Sequence, residues 1–201
     1  MKEKILEKAG EIFVKYGVKR VTMDDIANSL SISKKTIYKY FRNKEKLIDE
    51  TATYMHAILH ENINQVCELG YNAIEENFRI KEVFKEMFQN LNDSPVYQLK
   101  KYYPKTYDKI IAYEFTIFKD CITNNIEKGI NEGLYIENID KDLISKFYFT
   151  LAMAVHDTNL FLSTNKNLNQ TELAVLEYHT RAIATPKGIT ILEEQLAKSK
   201  N

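Results

Sequence analysis

Basic and aromatic side chains are concentrated between residues 33 and 44, in the segment SKKTIYKYFRNK. Lysine ammonium groups bind phosphates, and lysine and tyrosine side chains also reach base edges. The helical period places Lys34, Lys35, Tyr38 and Lys39 on one outer face. Lys44 follows at the start of another helix, whose free amide groups and dipole favour a phosphate. This pattern predicts a surface for DNA.

Two short helices joined by a tight turn must position these side chains. Thr22 and Asp25 form a capping-box pattern at the start of the first helix, and Ser33 is a favourable cap for the second. The second helix turns Ile37 and Phe41 inward. A second helix braced in this way is the helix-turn-helix arrangement, which enters the major groove. The first helix has one apolar stripe, formed by Met23, Ile26, Ala27 and Leu30.

One helix before these two and the start of another after them complete the small core. Asn43 is the expected cap of the helix that opens with Lys44. Residues 2–16 form an amphipathic pattern, and Gly17 is the expected left-handed terminator. Its apolar residues are Ile5, Leu6, Ala9, Ile12, Phe13 and Tyr16. A three-helix DNA-binding head over residues 1–47 follows.

The run from Ile5 to Leu47, which includes TMDDIA, ISK.TIYKYF and NKE, resembles the N-terminal domain of TetR-family (TetR/AcrR-like) transcriptional regulators. The resemblance implies DNA contacts from Thr22, Lys34, Thr36, Tyr38 and Lys44. Two residues depart from the family pattern, because that family usually has glycine where this chain has Ser31 and often has glycine where it has Lys35. If Ser31 adopts positive φ, the conformation costs about 1 kcal/mol.

The distribution of charge agrees with this interpretation. Residues 1–47 contain 12 Lys or Arg and 6 Asp or Glu, whereas residues 48–201 contain 16 and 22, although the whole chain has zero net charge. A basic head attracts DNA and an acidic body repels it. No apolar run approaches a membrane span, and the N-terminus lacks the pattern of a signal peptide. We therefore predict a cytoplasmic protein whose Cys67 and Cys121 are structural thiols without a disulfide.

Residues 48–201 are expected to form a helical effector-binding and dimerisation domain, so that the all-α chain has about nine or ten helices. The glycine, proline and capping signals predict several boundaries. The fourth helix runs from Lys44 to about Leu69, a fifth covers 72–91, and a short sixth ends before Pro104. Later helices cover Pro104 to the 129–133 region, 140–162, a segment capped by Asn169 or Thr171, and 188–198.

Residues 147–162, FYFTLAMAVHDTNLFL, are apolar around much of a helix, which indicates either a central core helix or a partner surface. The TetR resemblance implies a homodimer through the last two long helices, and we expect the second alternative. Within this segment, the pair His156-Asp157 is expected at the dimer seam or facing a ligand cavity. The expected interface residues are Phe149, Met153, His156, Leu160, Leu176, His179 and Ile183.

Aromatic residues are concentrated in the body, which has 10 of the 13 tyrosines. Rings with polar tips suit an amphipathic ligand, although at helical spacing most of them are also expected in the core. TetR-like regulators usually sense a small molecule between these helices. The expected ligand contacts are Met55, Tyr102, Tyr103, Tyr107, Phe115, Phe118 and Phe147.

His56 and His60 have a spacing that could share a metal with Cys67, but HAILH lacks the glutamate of H-E-x-x-H and its flanks are polar. We predict no metal site and no cofactor. The sequence also contains no Gly-rich phosphate loop and no G-x-S-x-G motif, so no enzyme is predicted. The leading hypothesis is a homodimeric repressor that a small molecule releases from its DNA operator. The alternative is an effector-independent helix-turn-helix protein whose body recruits a protein partner.

Overall fold

The structure is a computed structural model that describes residues 1–87, 95–156 and 168–199. These residues form ten α-helices and no β-strand, with one isolated antiparallel bridge between Tyr135 and Ala184. The all-α prediction is confirmed. The helices are α1 (Lys2–Tyr16), α2 (Met23–Ser29), α3 (Lys34–Tyr38), α4 (Lys44–Glu68), α5 (Ala73–Met87), α6 (Pro95–Tyr102), α7 (Pro104–Asn131), α8 (Lys141–Ala154), α9 (Leu168–Ile183) and α10 (Pro186–Lys198).

The predicted helix caps of the head are present. The Thr22 hydroxyl accepts the Asp25 backbone N–H at 3.2 Å, and the Asp25 carboxylate accepts the Thr22 N–H at 2.8 Å. The Ser33 hydroxyl accepts the Thr36 N–H at 3.1 Å. The Asn43 side-chain oxygen accepts the Lys46 N–H at 2.8 Å. Each cap satisfies an amide that the helix cannot pair internally, so these starts are determined locally.

The head core contains the predicted inner faces of α1, α2 and α3, together with the first turn of α4. Ile5, Ile26, Ile37, Phe41 and Leu47 are each 0% exposed. Burial of such a side chain contributes about 1.5 to 3 kcal/mol, so the five residues hold the helices firmly together.

The sequence pattern placed Tyr16 on the inner face of α1. This prediction was wrong, since its side chain is 55% exposed. It is the last residue of α1, and the chain leaves the helix at Gly17, whose φ of 84° and N–H bond to the Phe13 carbonyl end the helix there. Lys15 lies over its ring, with 5.2 Å between Nζ and the ring centroid.

Two compact units are present. The first contains Met1–Glu61 and the described residues of 88–113, so α6 and the start of α7 belong with the head helices. Leu99 and Tyr103 pack against the head core, and the Lys19 ammonium lies 4.8 Å from the centre of the Tyr102 ring. The first unit is larger than the three-helix head expected from the sequence. The predicted boundary at residue 47 between a DNA-binding domain and an effector-binding domain remains a prediction.

The second unit contains Asn62–Met87 and the described residues of Glu114–Asn201. Its apolar core includes Ile74, Ile126, Leu134, Leu176 and Leu192. A buried polar network crosses this core: Asn77 donates to the Asn125 side-chain oxygen at 2.8 Å, and Asn125 donates to the Ala73 carbonyl at 2.8 Å. Buried amides paired in this way favour one alignment of α5 against α7.

Several boundaries in this unit differ from the sequence prediction. Leu168 begins α9, so Asn169 and Thr171 lie inside the helix and neither is its cap. Pro186 begins α10, because Thr185 accepts the Gly188 N–H and a proline at the first helical position loses no intrahelical bond. The α8 helix ends at Ala154, with Val155 as its C-cap, so the prediction of a continuous helix to residue 162 was wrong. The expected end of α5 at residue 91 lies outside the described residues. No helix in the described part is long and apolar enough to cross a membrane.

Ser31 is the one non-glycine residue with positive φ among those described, with φ at 54°. We expect Ser31→Gly to raise the free energy of unfolding by about 0.5 to 1 kcal/mol, because glycine relieves the left-handed strain but gains freedom in the unfolded chain. Urea unfolding followed by helical circular dichroism measures this change. The matched variant Ser29→Gly, in the last position of α2, should destabilise by about 0.5 kcal/mol. Equal effects of the two substitutions would contradict the strain argument.

Candidate DNA-binding site

The α3 helix presents one face to the core and the opposite face to solvent. Ile37 is fully buried, whereas Lys34, Lys35, Lys39 and Tyr38 are exposed, the tyrosine by 45%. Thr36 is half-buried, and its hydroxyl lies 2.9 Å from that of Ser33. The structure therefore brings the five predicted α3 contacts to the cap and the outer surface of one short helix. Their contacts with DNA remain a proposal.

Thr22 is exposed at the N-terminus of α2, but its hydroxyl is already engaged. It donates to the Asp25 carboxylate at 2.7 Å while accepting the Asp25 N–H. The Thr22 backbone N–H holds the pKa of Asp25 below its usual range, with the hydroxyl acting in the same direction. The predicted phosphate contact of Thr22 therefore requires its hydroxyl to exchange a partner.

Lys44 connects the start of α4 to the loop after α1. Its ammonium donates to the Lys19 carbonyl at 3.3 Å. Partial burial lowers the pKa of Lys44, and the nearby Asp25 carboxylate opposes that shift. Lys44 is the first residue of α4, where free backbone amides favour an anion, so the phosphate contact of Lys44 stays a prediction.

Lys34 is paired in the free protein with Asp24, at 2.7 Å between ammonium and carboxylate. The hydrogen bond from Lys34 to Asp24 raises the pKa of the ammonium. Both side chains are exposed, so the pair is weak and a phosphate can replace the carboxylate. The sequence interpretation missed this competitor, although the positions face each other across the helix-turn-helix.

Two further exposed residues extend the basic and aromatic surface after α3. Tyr40 is 42% exposed, and Arg42 is also exposed. Neither was among the predicted contacts. The sequence could have indicated them, because Tyr40 and Arg42 flank the apolar Phe41. When Phe41 is buried, its two neighbours face outward.

Comparison with known proteins shows that this chain is similar to bacterial transcriptional regulators. The sequence profile described as bacterial regulatory proteins, tetR family, matches residues 5–51. The chain is 28% identical over 164 residues to the uncharacterized HTH-type transcriptional regulator YhgD of Bacillus subtilis, covering 77% of this chain and 81% of the relative. A crystal structure of a transcriptional regulator from Cytophaga hutchinsonii matches with a TM-score of 0.74 at 18% identity, over 91% of this chain and 98% of the other. Residues 5–51 are therefore similar to the tetR family of bacterial regulatory proteins, and the whole chain is similar to transcriptional regulators.

Two other similarities concern regulation. The regulator is 29% identical over 103 residues to IcaR, the negative transcriptional regulator of the biofilm operon icaADBC in Staphylococcus aureus, covering 47% of this chain and 55% of IcaR. Its fold also matches a transcriptional regulator from Saccharomonospora viridis in complex with choline, with a TM-score of 0.71 at 16% identity, over 92% of this chain and 97% of the other. The family and these relatives are transcriptional regulators, not enzymes.

The seven predicted ligand contacts do not belong to one unit of the regulator. Met55, Tyr102, Tyr103 and Tyr107 are half-buried in the first unit. Met55 lies so close to Gly10 of α1 that a Cβ atom there would collide with its sulfur. Tyr102 and Tyr103 contact the head, as described above. Packing within the first unit therefore accounts for three of these four side chains.

The other three predicted ligand contacts lie in the second unit. Phe115 and Phe118 pack edge-on against Phe149, with ring centroids 5.1 and 5.2 Å away. Phe147 is instead 55% exposed on α8. The α8 helix turns it away from the face that carries Phe149, and its contact with a ligand stays a prediction.

The predicted interface residues are mostly internal. Phe149, Leu176, His179 and Ile183 are all buried within the single chain, Leu176 and Ile183 at 1% exposure. Side chains enclosed by their own subunit have little surface for a partner, so this burial does not support the predicted dimer contact, which stays a prediction. Met153 and His156 are half-buried, and Leu160 and Asp157 lie outside the described residues.

His179 lies at the end of a series of packed rings. Its imidazole stacks on Tyr148 with 4.0 Å between centroids, and Tyr148 packs against Phe118 at 5.5 Å. His179 Nε2 is buried and has no hydrogen-bond partner among the described residues. His156, two residues beyond the end of α8, has its Nε2 4.0 Å from a carboxylate oxygen of Glu172 on α9. Burial lowers the pKa of each histidine to about 4.

His56 and His60 lie in the first unit with stacked rings, 6.4 Å between centroids. The Tyr113 ring packs edge-on against His60 at 6.2 Å. Aromatic packing explains this pair, and the prediction of no metal site remains a prediction.

We expect Asp24→Asn to raise DNA affinity by about two- to fivefold, because it frees Lys34 and removes a negative charge beside the DNA surface. Lys34→Ala should lower affinity and reduce the salt slope by about one. Fluorescence anisotropy with duplex DNA at several salt concentrations measures both. Asp142→Asn is the matched control, since Asp142 is the second residue of α8 and also pairs with lysines. An equal gain in that control would contradict the local explanation.

His179 also predicts a pH dependence of stability. Its pKa of about 4 lies below the ordinary value of 6.5, so folding favours the neutral ring and stability falls as the pH drops from about 6.5 to about 4. We expect His179→Phe to reduce the loss of unfolding free energy between about pH 8 and pH 5 by about 2 kcal/mol.

Urea unfolding at both pH values measures this difference. Thr180→Val is the control, because the neighbouring hydroxyl is buried, does not titrate in this range and donates to the Leu176 carbonyl at 2.9 Å. An undiminished pH dependence in the His179 variant would show that other groups cause it.

Proposed function

We propose that this regulator is a homodimeric repressor, acting in the cytoplasm, that a small molecule releases from its operator. The observation that carries the DNA-binding part is the outer face of α3, where exposed lysines and Tyr38 stand opposite fully buried Ile37. A rigid helix with donors on one face suits the major groove. The relative named as a negative regulator, IcaR, supports repression.

Exposed apolar side chains on α8 and α9 support the dimer. Leu143 and Phe147 are one turn apart on α8 and are 43% and 55% exposed, and Tyr178 on α9 is 67% exposed. Large apolar groups exposed together on helices generally mark an interaction surface. A second copy is the partner that we propose, since a two-fold dimer carries two α3 helices to two half-sites and doubles the small DNA contact of one head.

The ring series ending at His179 supports the effector site. An unpaired buried polar atom costs about 1 to 3 kcal/mol, and a ligand that supplies a partner recovers part of that cost. Aromatic walls with a single buried imidazole nitrogen favour a flat, largely apolar ligand with one polar group, such as a phenol. The fold is shared with SmeT, solved in complex with triclosan, with a TM-score of 0.64 at 15% identity over 92% of both chains.

Release requires that the effector bind the DNA-incompetent state more tightly. A preference of about 1 to 3 kcal/mol changes operator affinity by about 5- to 150-fold. We propose that α4 carries the change, because its first residue, Lys44, belongs to the DNA surface. Leu99 and Tyr103 contact the head core, so we propose that α6 and the start of α7 also transmit the conformational change to the head.

Selection of genomic fragments with the purified full-length protein tests the DNA-binding part. We expect Tyr38→Ala and Lys44→Ala to weaken binding to the recovered fragment about tenfold or more while leaving the oligomeric state unchanged. Tyr113→Ala is the control, since this tyrosine is 58% exposed on α7, outside the helix-turn-helix. Unchanged affinity in both head variants would refute the proposed surface.

The dimer is tested at α8. We expect Phe147→Glu to convert the dimer to a monomer, because it places a charge in the proposed apolar contact. Sedimentation equilibrium measures the mass. Tyr16→Glu introduces the same charge at an equally exposed aromatic residue and should leave the dimer intact. A wild-type chain that is monomeric at micromolar concentration would refute the proposal directly.

A panel of phenolic compounds, triclosan included, tests effector release by thermal shift and by loss of operator binding. We expect a compound that stabilises the wild type to stabilise His179→Phe less. The effector-independent alternative predicts DNA binding that no such compound alters, and a protein that binds the exposed surface of α8 and α9 instead.

A further inference from the structure

Basic residues of the body are concentrated in α6 and the start of α7. Residues 95–113 contain four lysines and one aspartate, whereas the rest of residues 48–201 contains 12 lysines or arginines and 21 aspartates or glutamates. This basic segment belongs to the first unit, together with the head helices. The unit that carries α3 therefore has a second basic region, outside the helix-turn-helix.

Packing against the head fixes the orientation of α6. Leu99 and Tyr103, four positions apart, contact the head core. A Cβ atom at Gly17, which follows α1, would collide with the Gln98 side chain, so α6 also lies close to the loop after α1. The helical period turns the residue two positions beyond Leu99 to the opposite side of α6, and Lys101 is exposed there. The contacts that hold α6 thus leave Lys101 facing solvent.

The ring of Tyr102 holds two ammonium groups at the surface of this unit. Lys19 Nζ lies 4.8 Å from the ring centroid and Lys101 Nζ lies 5.5 Å from it. Both lysines are exposed, and among residues 1–87, 95–156 and 168–199 no carboxylate pairs with either of them. A lysine ammonium has three N–H donors, so one that packs on a ring can still bind an anion.

These two lysines continue the proposed DNA surface. The Lys19 carbonyl accepts the Lys44 ammonium at 3.3 Å, so the loop that carries Lys19 lies beside the start of α4. Arg20, the next residue of that loop, is also exposed. Positive side chains therefore follow one another from Lys44 through Lys19 to Lys101 within a single compact unit.

We propose that Lys19 and Lys101, held by Tyr102, form a second phosphate-binding surface that contacts the DNA backbone beside the bases that α3 reads. Duplex DNA is the partner that fits, because a duplex bound by α3 and Lys44 places phosphates next to the Lys19 loop, and each neutralised phosphate releases a counterion. Backbone contacts carry no sequence information, so this surface adds affinity without adding specificity. The proposal rests on the proposed function, since it requires that α3 face an operator.

Removal of each charge tests the surface. Fluorescence anisotropy of the full-length protein with the selected genomic fragment, at several salt concentrations, gives the affinity and its salt slope. We expect Lys19→Gln and Lys101→Gln each to weaken binding about fivefold near 0.15 M salt and to reduce the slope by about one, because each phosphate contact contributes about 0.9 to it. An unrelated duplex should lose affinity by the same factor, and Lys101→Arg, which keeps the charge, should keep the affinity.

Lys85→Gln is the matched control, because it removes the same charge from an exposed lysine of α5 in the second unit. We expect it to leave both the affinity and the salt slope unchanged. An equal loss in this control would show an effect of net charge and would overturn the surface. A loss that Lys101→Arg shares with Lys101→Gln would assign Lys101 a purely structural role, with the same consequence.

The head variants separate this surface from the proposed function. If Tyr38→Ala and Lys44→Ala weaken binding whereas Lys19→Gln and Lys101→Gln do not, only the second surface is overturned. Unchanged DNA affinity with an altered mass of Lys101→Gln in sedimentation equilibrium would assign the lysine to a contact between copies and would also overturn it. If selection recovers no fragment, the proposed function fails, and the same variants measured on random-sequence duplex at low salt still decide this surface.

Discussion

The outward orientation of the proposed DNA-binding residues depends on the burial of Ile37 and Phe41. These two side chains of the short α3 segment are fully enclosed by α1, α2 and the start of α4. A five-residue helix is not stable by itself, because nucleation costs more than so few hydrogen bonds return. Its orientation therefore comes from the core, and the lysines and tyrosines between the buried positions are directed outward as a consequence. The caps at Thr22, Ser33 and Asn43 determine where each helix begins, but only the common core determines how the helices face one another.

The same core reaches beyond the three head helices. Leu99 of α6 and Tyr103 pack against it, and Lys109 of α7 pairs with Asp49 of α4 at 3.3 Å. These contacts connect later helices to the residues that hold α3. A shift of α6 or α7 therefore alters the packing of the head without any contact to DNA, as coupling between a ligand and an operator requires.

The second unit contrasts paired and unpaired polar groups. Asn77 and Asn125 are buried and fully engaged with each other and with neighbouring groups, whereas His179 Nε2 lacks a partner among the described residues. The first arrangement specifies one packing of the helices. The unpaired His179 nitrogen leaves an unfavourable desolvation free energy, which a hydrogen-bonding ligand would reduce.

The sequence by itself determined the features that arise within a few residues. The start of α2, the end of α1 at Gly17 and the inward faces of α2 and α3 follow from caps, periodicity and backbone preference. The positive φ of Ser31 was expected only from the glycine that the resembling family usually has there. It did not determine which apolar residues serve the core and which serve a partner, because the helical period gives the same signal for both. Leu176 and Ile183 therefore appeared as interface residues, and Phe147 as a ligand contact, until tertiary packing enclosed the first two and exposed the third. The contact between Asn77 and Asn125 was decided in the same way, since contact between distant residues depends on how helices pack and leaves no local pattern.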